Sequence, residues 1–180
     1  MHLPVRREDT GSNMQPSYVE AADLLYTKNT FDLRRVSAVE MLPRVIHPSR
    51  LSHIRSIQIS TAFRCPVRPD HRRRLGEAFD SRQHPPDDAA RWPDACRVLQ
   101  SLSLSRLRIT LALWGVCSLC NNHSVNDESI LSFLEPMKAI NVKDFNVTLN
   151  FDLSRELIAR LGSIPFRISP KYCIFSAFAP

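Results

Sequence analysis

Apolar residues recur along this chain in two rhythms. Leu107, Ile109, Leu111 and Leu113 alternate with Arg108, Thr110 and Ala112, the period of a strand with one buried face. Phe145, Val147, Leu149 and Phe151 repeat the alternation and predict a strand over 144–151. Ile57 and Ile59, set between Ser56, Gln58 and Ser60, predict another over 54–62. Thr30–Leu33 and Phe166–Ser169 are shorter candidates. Elsewhere the spacing is helical. Tyr18, Ala22, Leu25 and Tyr26 fall on one helix face. Trp92, Cys96, Leu99 and Leu102 form a second stripe, with Pro93 tolerable in its first turn. Ile130, Leu131, Phe133, Leu134 and Met137 form a third, interrupted by Pro136. Glu156–Leu161 predicts a short helix closed by Gly162.

Local signals sharpen some of these boundaries. Ser37-Ala38-Val39-Glu40 matches a capping box, with Val36 and Met41 at the positions of a hydrophobic staple. Pro43 is expected to kink or end the helix that starts there, and Pro48 adds a second break. Residues 64–88 hold four prolines and few apolar side chains. They predict a disordered, Arg- and Pro-rich insertion with one helical turn near Leu75–Phe79, order resuming at Ala89. Residues 1–15 read as a disordered lead-in to a single domain over 16–180.

Helices and strands therefore alternate, which implies an α/β fold with mostly parallel strands joined by crossover helices. Because the strands alternate polar with apolar, one sheet face is expected to be wet and the helices to lie on the other. Gln58, Arg108, Thr110, Asn146 and Thr148 would share that wet face. The arrangement is similar to a curved leucine-rich-repeat sheet, although the strand spacing is too irregular for a true repeat.

Composition narrows the class of function. A chain of 180 residues, 43% of them hydrophobic, is long enough for a core without metals or disulfides. Four glycines against thirteen prolines, and no Gly-rich phosphate-loop pattern, count against nucleotide binding of the familiar kinds. Five cysteines at irregular spacing fit poorly with a secreted disulfide framework. No signal segment and no membrane-length apolar run is read, so the expectation is an intracellular protein, in cytoplasm or nucleus. Charge is uneven. From Arg44 to Arg74 there are eight arginines against the single Asp70, a net of +7, which leaves −1 for the rest of a chain totalling +6.

Candidate chemistry follows from these residues. Arg68, Arg72, Arg73 and Arg74 could hold an anion, which makes phosphate or nucleic-acid binding through 44–74 one reading. The window lacks the interleaved aromatics of single-strand binders, and arginine stems also cover apolar surface. Cys117-Ser118-Leu119-Cys120 with His123 is the candidate metal site, but zinc wants four ligands and no second pair is present. His47 and His53 read as surface residues rather than an acid–base pair. No nucleophile elbow or paired-histidine motif occurs, so neither an enzyme nor a cofactor is expected.

The run Glu20-Ala21-Ala22-Asp23-Leu24-Leu25-Tyr26 into Asn29-Thr30-Phe31-Asp32-Leu33 resembles a segment common in fungal proteins. Leu42-Pro43-Arg44, Pro48-Ser49-Arg50-Leu51, Ile54-Arg55-Ser56-Ile57 and Leu134-Glu135-Pro136-Met137 are similar to that family's following blocks. Together they resemble the fungal domain of unknown function 7730, sometimes found near F-box-like segments, from about Val19 to Phe151. Such domains open with a longer helix carrying a Cys-Arg-Gln type motif, where this chain has Gln15-Pro16-Ser17-Tyr18-Val19. The resemblance thus implies an N-terminally shortened copy. The family has no established catalytic residues. A protein-interaction module with a protein partner is the function expected, with anion or nucleic-acid binding as the alternative.

Overall fold

A computed structural model describes residues 15–64, 86–114 and 127–170. Helix α1 (Gln15–Lys28) leads into strand β1 (Thr30–Leu33), followed by α2 (Val36–Val45), α3 (Pro48–Leu51) and β2 (Ser56–Arg64). A 3-10 turn at Ala89–Arg91 opens α4 (Trp92–Ser101), which precedes β3 (Arg106–Trp114). Then come α5 (Asp127–Leu134), a 3-10 turn (Glu135–Ala139), β4 (Asp144–Leu149), α6 (Arg155–Leu161) and β5 (Arg167–Pro170). The five strands form one sheet in the order β1-β2-β3-β4-β5, and every pairing is parallel. The chain is thus of the α/β class, as the alternating pattern predicts.

That strand order fixes where the helices go. Each connection moves over by one strand in the same direction, and right-handed crossovers then put every connecting helix on the same face. The core lies between that face and the helices. Ile57, Ile59 and Phe63 of β2, Leu107, Ile109, Leu111 and Leu113 of β3, and Phe145, Val147 and Leu149 of β4 are all buried in it. Helix α4 answers with Trp92, Ala95, Cys96 and Leu99, spaced i, i+3, i+4, i+7 and wholly buried. The Phe63 ring stacks on Phe133 at 4.6 Å between centroids and meets Trp92 edge-on at 5.6 Å, contacts worth about 0.5–1.5 kcal/mol each beyond area. The Trp92 indole N–H donates to the Phe133 carbonyl at 2.8 Å, so its one polar atom is satisfied in the core.

Several local expectations are overturned. Helix α2 starts at Val36, one residue before the expected cap, and its N-cap Arg35 makes no side-chain cap bond. The Val36 N–H donates instead to Asp87 Oδ2 at 3.3 Å, 51 residues away. Glu40 points across to Arg91, pairing its carboxylate with the guanidinium ahead of α4. Met41 is exposed, so there is no staple. Pro43 sits inside α2, which runs two residues past it and stops at Val45. Pro136 acts as expected: α5 ends at Leu134 and the chain tightens into a 3-10 turn. Leu25, expected on a packed face, is exposed, whereas Tyr26 of the same stripe stacks on Phe31 at 5.7 Å.

Of the segment expected as an insertion at about 64–88, only the two ends, Arg64 and 86–88, are described. Arg64 is the last residue of β2, and Asp87 bridges to Phe63. The Asp87 N–H donates to the Ala62 carbonyl at 2.7 Å. Residues 65–85, with the helical turn expected near Leu75–Phe79, lie outside the described residues, as do 1–14. Helix α6 begins on a Ser154 cap that accepts from Leu157 N–H and ends on Gly162 at φ 66°. That positive φ suits glycine and strains other residues. Strand β4 stops at Leu149, short of the expected Phe151. Asn150 leaves the ladder and turns its amide onto β3, accepting from Leu113 N–H at 2.9 Å and donating to Leu113 O at 3.2 Å.

Candidate functional site

Parallel register stacks the outward side chains of the sheet into rows that run across the strands. The row nearest the amino ends is Thr30, Ser56, Arg106 and Asp144. Next come Asp32, Gln58, Arg108, Asn146 and Arg167. A third row holds Ser60, Thr110, Thr148 and Ser169, a fourth Ala62 and Ala112, and a fifth register position pairs Arg64 with Trp114. Neighbours within a row are about 4.8 Å apart and successive rows about 6.6 Å. Side chains shorten from arginine and glutamine in the second row to hydroxyls in the third and to the buried methyls of the fourth.

This face is open. Asp32, Arg106, Arg108, Arg167 and Ser169 are exposed, and Gln58, Thr110, Asn146 and Thr148 are half-buried. The five wet-face residues predicted from alternation do share it. All-parallel sheets are ordinarily covered on both faces and built from continuous apolar runs. A parallel sheet with one polar, half-exposed face is unusual and marks that face for attention.

Its electrostatics are partly internal. Arg106 Nε donates to Asp144 Oδ2 at 2.9 Å across the β3–β4 pair. Asn146 Nδ2 donates to the other carboxylate oxygen at 2.8 Å. The Arg106 hydrogen bond holds the Asp144 carboxyl below its ordinary range, and the Asn146 bond and the Arg108 charge add to it. Arg34 pairs with Asp32 at 3.6 Å. Arg108 and Arg167, one on each side of Asn146 in the second row, form no ion pair with a described carboxylate.

The other candidates fare differently. Arg68, Arg72, Arg73 and Arg74, and the Cys117, Cys120 and His123 set, lie outside the described residues. Of the remaining Arg44–Arg74 window, Arg44 is on α2, Arg50 on α3, Arg55 before β2 and Arg64 at its far end. The intervening strand sets Arg55 and Arg64 about 30 Å apart, so these two cannot belong to one compact patch. Arg55 donates to the Ser103 carbonyl at 2.6 Å. His47 Nδ1 caps α3 by accepting from Ser49 N–H at 3.4 Å, while His53 Nδ1 pairs with Asp23 of α1 at 2.8 Å. Each histidine is thus engaged separately. Cys96 is buried in the core, which pushes its thiol up to about 12 and makes it unreactive. Among the described residues no group of three or more His, Cys, Asp or Glu could hold a metal ion. None of their helices is long and apolar enough to cross a membrane.

Sequence reasoning missed Arg167 and the Arg106–Asp144 pair. Alternation across Phe166, Arg167, Ile168 and Ser169 was the available signal for Arg167. Its register beside Asn146 was not, because strand order is a tertiary property.

The family described as Domain of unknown function (DUF7730) matches residues 14–169 of this chain. No curated protein and no solved structure matches it.

Proposed function

The chain belongs to the family described as Domain of unknown function (DUF7730), and we propose that it is a non-catalytic protein-interaction module that holds its partner on the open face of the sheet. The observation that carries this reading is the set of polar rows on a parallel sheet whose connecting helices all pack on the opposite side. Hydrogen-bonding side chains spread over five strands suit a broad contact. They do not converge on one reacting atom, as acid–base or nucleophilic chemistry requires. A rigid sheet also presents such groups with little ordering cost on binding. The fungal origin and F-box-associated setting implied by the sequence resemblance, and an intracellular location, belong to the same proposal.

Affinity capture with mass spectrometry tests it. The folded chain should recover a specific partner. Thr110→Trp with Thr148→Trp, which puts bulk on the third row, should abolish capture. Val45→Glu, on the exposed side of α2, should not. Capture that survives the double tryptophan variant contradicts the reading, as does the absence of any partner for protein that melts cooperatively.

A further inference from the structure

Arg108 and Arg167 flank Asn146 in one row, two strand spacings apart, about 10 Å between backbones. Both are exposed, and neither is used by a described carboxylate. Their neighbour Arg106 differs, since Asp144 already takes its charge. Two carboxylates could oppose an incoming anion here: Asp144, whose oxygens are occupied by Arg106 and by Asn146, and Asp32, two strands from Arg108 in the same row and paired with Arg34 at 3.6 Å. The third row follows with Thr110, Thr148 and Ser169 hydroxyls, able to donate to the same ligand.

We propose that Arg108, Asn146 and Arg167 form an oxyanion-recognition site, and that its ligand is an acidic, extended segment of a partner protein. The inference rests on the interaction-module reading and adds the chemistry of the partner. Guanidinium forks match carboxylates in geometry as well as charge. An extended segment lying along the strands repeats its side chains on one face every 6–7 Å, the same interval as the rows beneath it. A carboxylate over the arginine row therefore places the side chain two residues on over the Thr110, Thr148 and Ser169 hydroxyls. The register carries the ladder one pair further, to Arg64 opposite Trp114, so the choice between acidic peptide and nucleic acid falls to the oligonucleotide arm of the test.

Fluorescence anisotropy with a labelled Glu-Ser repeat peptide tests the site, beside a Lys-Ser repeat and a single-stranded oligonucleotide. The native chain should bind the acidic peptide, weakening with salt. Arg108→Glu and Arg167→Glu should each weaken it roughly tenfold or more, the loss of a charge-assisted bond. Arg108→Lys should retain part of it, and Arg97→Glu on the outer side of α4 should change nothing. Circular-dichroism melts establish that each variant is folded. The proposal is overturned if the peptide does not bind, if both reversals leave binding intact, or if the oligonucleotide binds more tightly. Partner capture distinguishes the two levels. Capture that survives both reversals but not the tryptophan pair removes the anion site alone. Capture that survives all of them removes the interaction face as well.

Discussion

Replacing Asp87 with alanine removes one carboxylate oxygen that serves two elements at once. Asp87 Oδ2 accepts from the Val36 N–H at the start of α2 and from the Thr61 hydroxyl at 2.7 Å. Thr61 lies on the core side of β2 and is wholly buried. Without Asp87 its hydroxyl loses its partner, a cost of about 1–3 kcal/mol. Loss of the cap on α2 adds about 0.5–1 kcal/mol, toward the lower end for caps because the 3.3 Å bond is long. Asp87→Ala should therefore lose about 1.5–4 kcal/mol in urea unfolding, with m unchanged. Thr61→Val separates the two terms. In the native background it costs roughly 1 kcal/mol, but in Asp87→Ala it removes the orphaned hydroxyl and should restore stability. A loss below about 0.5 kcal/mol for Asp87→Ala, or an equal cost of Thr61→Val in both backgrounds, would refute the reasoning.

Other outcomes follow from the same structure. Asn150→Ala strips the Leu113 N–H and C=O of their partners and should cost about 2–4 kcal/mol, with faster hydrogen exchange at the Leu113 amide. The Asp144 carboxyl, held below its ordinary 3.8 by Arg106, should rise toward that value in Arg106→Ala, read by a carbon-13 NMR titration. Because its folded pKa is depressed, the stabilisation is present above the unfolded value and is lost as pH falls through the folded one; Arg106→Ala should flatten that acid limb. Cys96, its thiol raised to about 12 by burial, should resist alkylation in native protein at pH 8 and react on unfolding, followed by peptide mass mapping. Rapid native labelling would contradict its place in the core.

The contrast between what alternation revealed and what it hid is physical. Period-two runs in Leu107–Leu113 and Phe145–Leu149 report burial of one face, so strands, the inward core and the wet face were all legible. Helical stripes were legible where a core demands them, as in Trp92–Leu99, and misleading in α1, where Leu25 is exposed. Capping grammar failed at Ser37–Glu40 because a distant group outcompeted the local one: Asp87 reaches Val36 from 51 residues away. The same holds for Asn150, whose partner on β3 is 37 residues distant. Neighbourhood in the sheet, which sets Arg167 beside Asn146 and Arg106 beside Asp144, comes from strand order and register, and no local pattern encodes either.

Site-specific photocrosslinking asks most directly whether the open face is the partner surface. A benzophenone amino acid placed singly at Gln58, Thr110 or Thr148 reports from the rows, and one at Val45 or Arg97 from the helical side. The account predicts partner crosslinks from the three sheet positions and none from the two helix positions. Crosslinks confined to Val45 and Arg97 would contradict it.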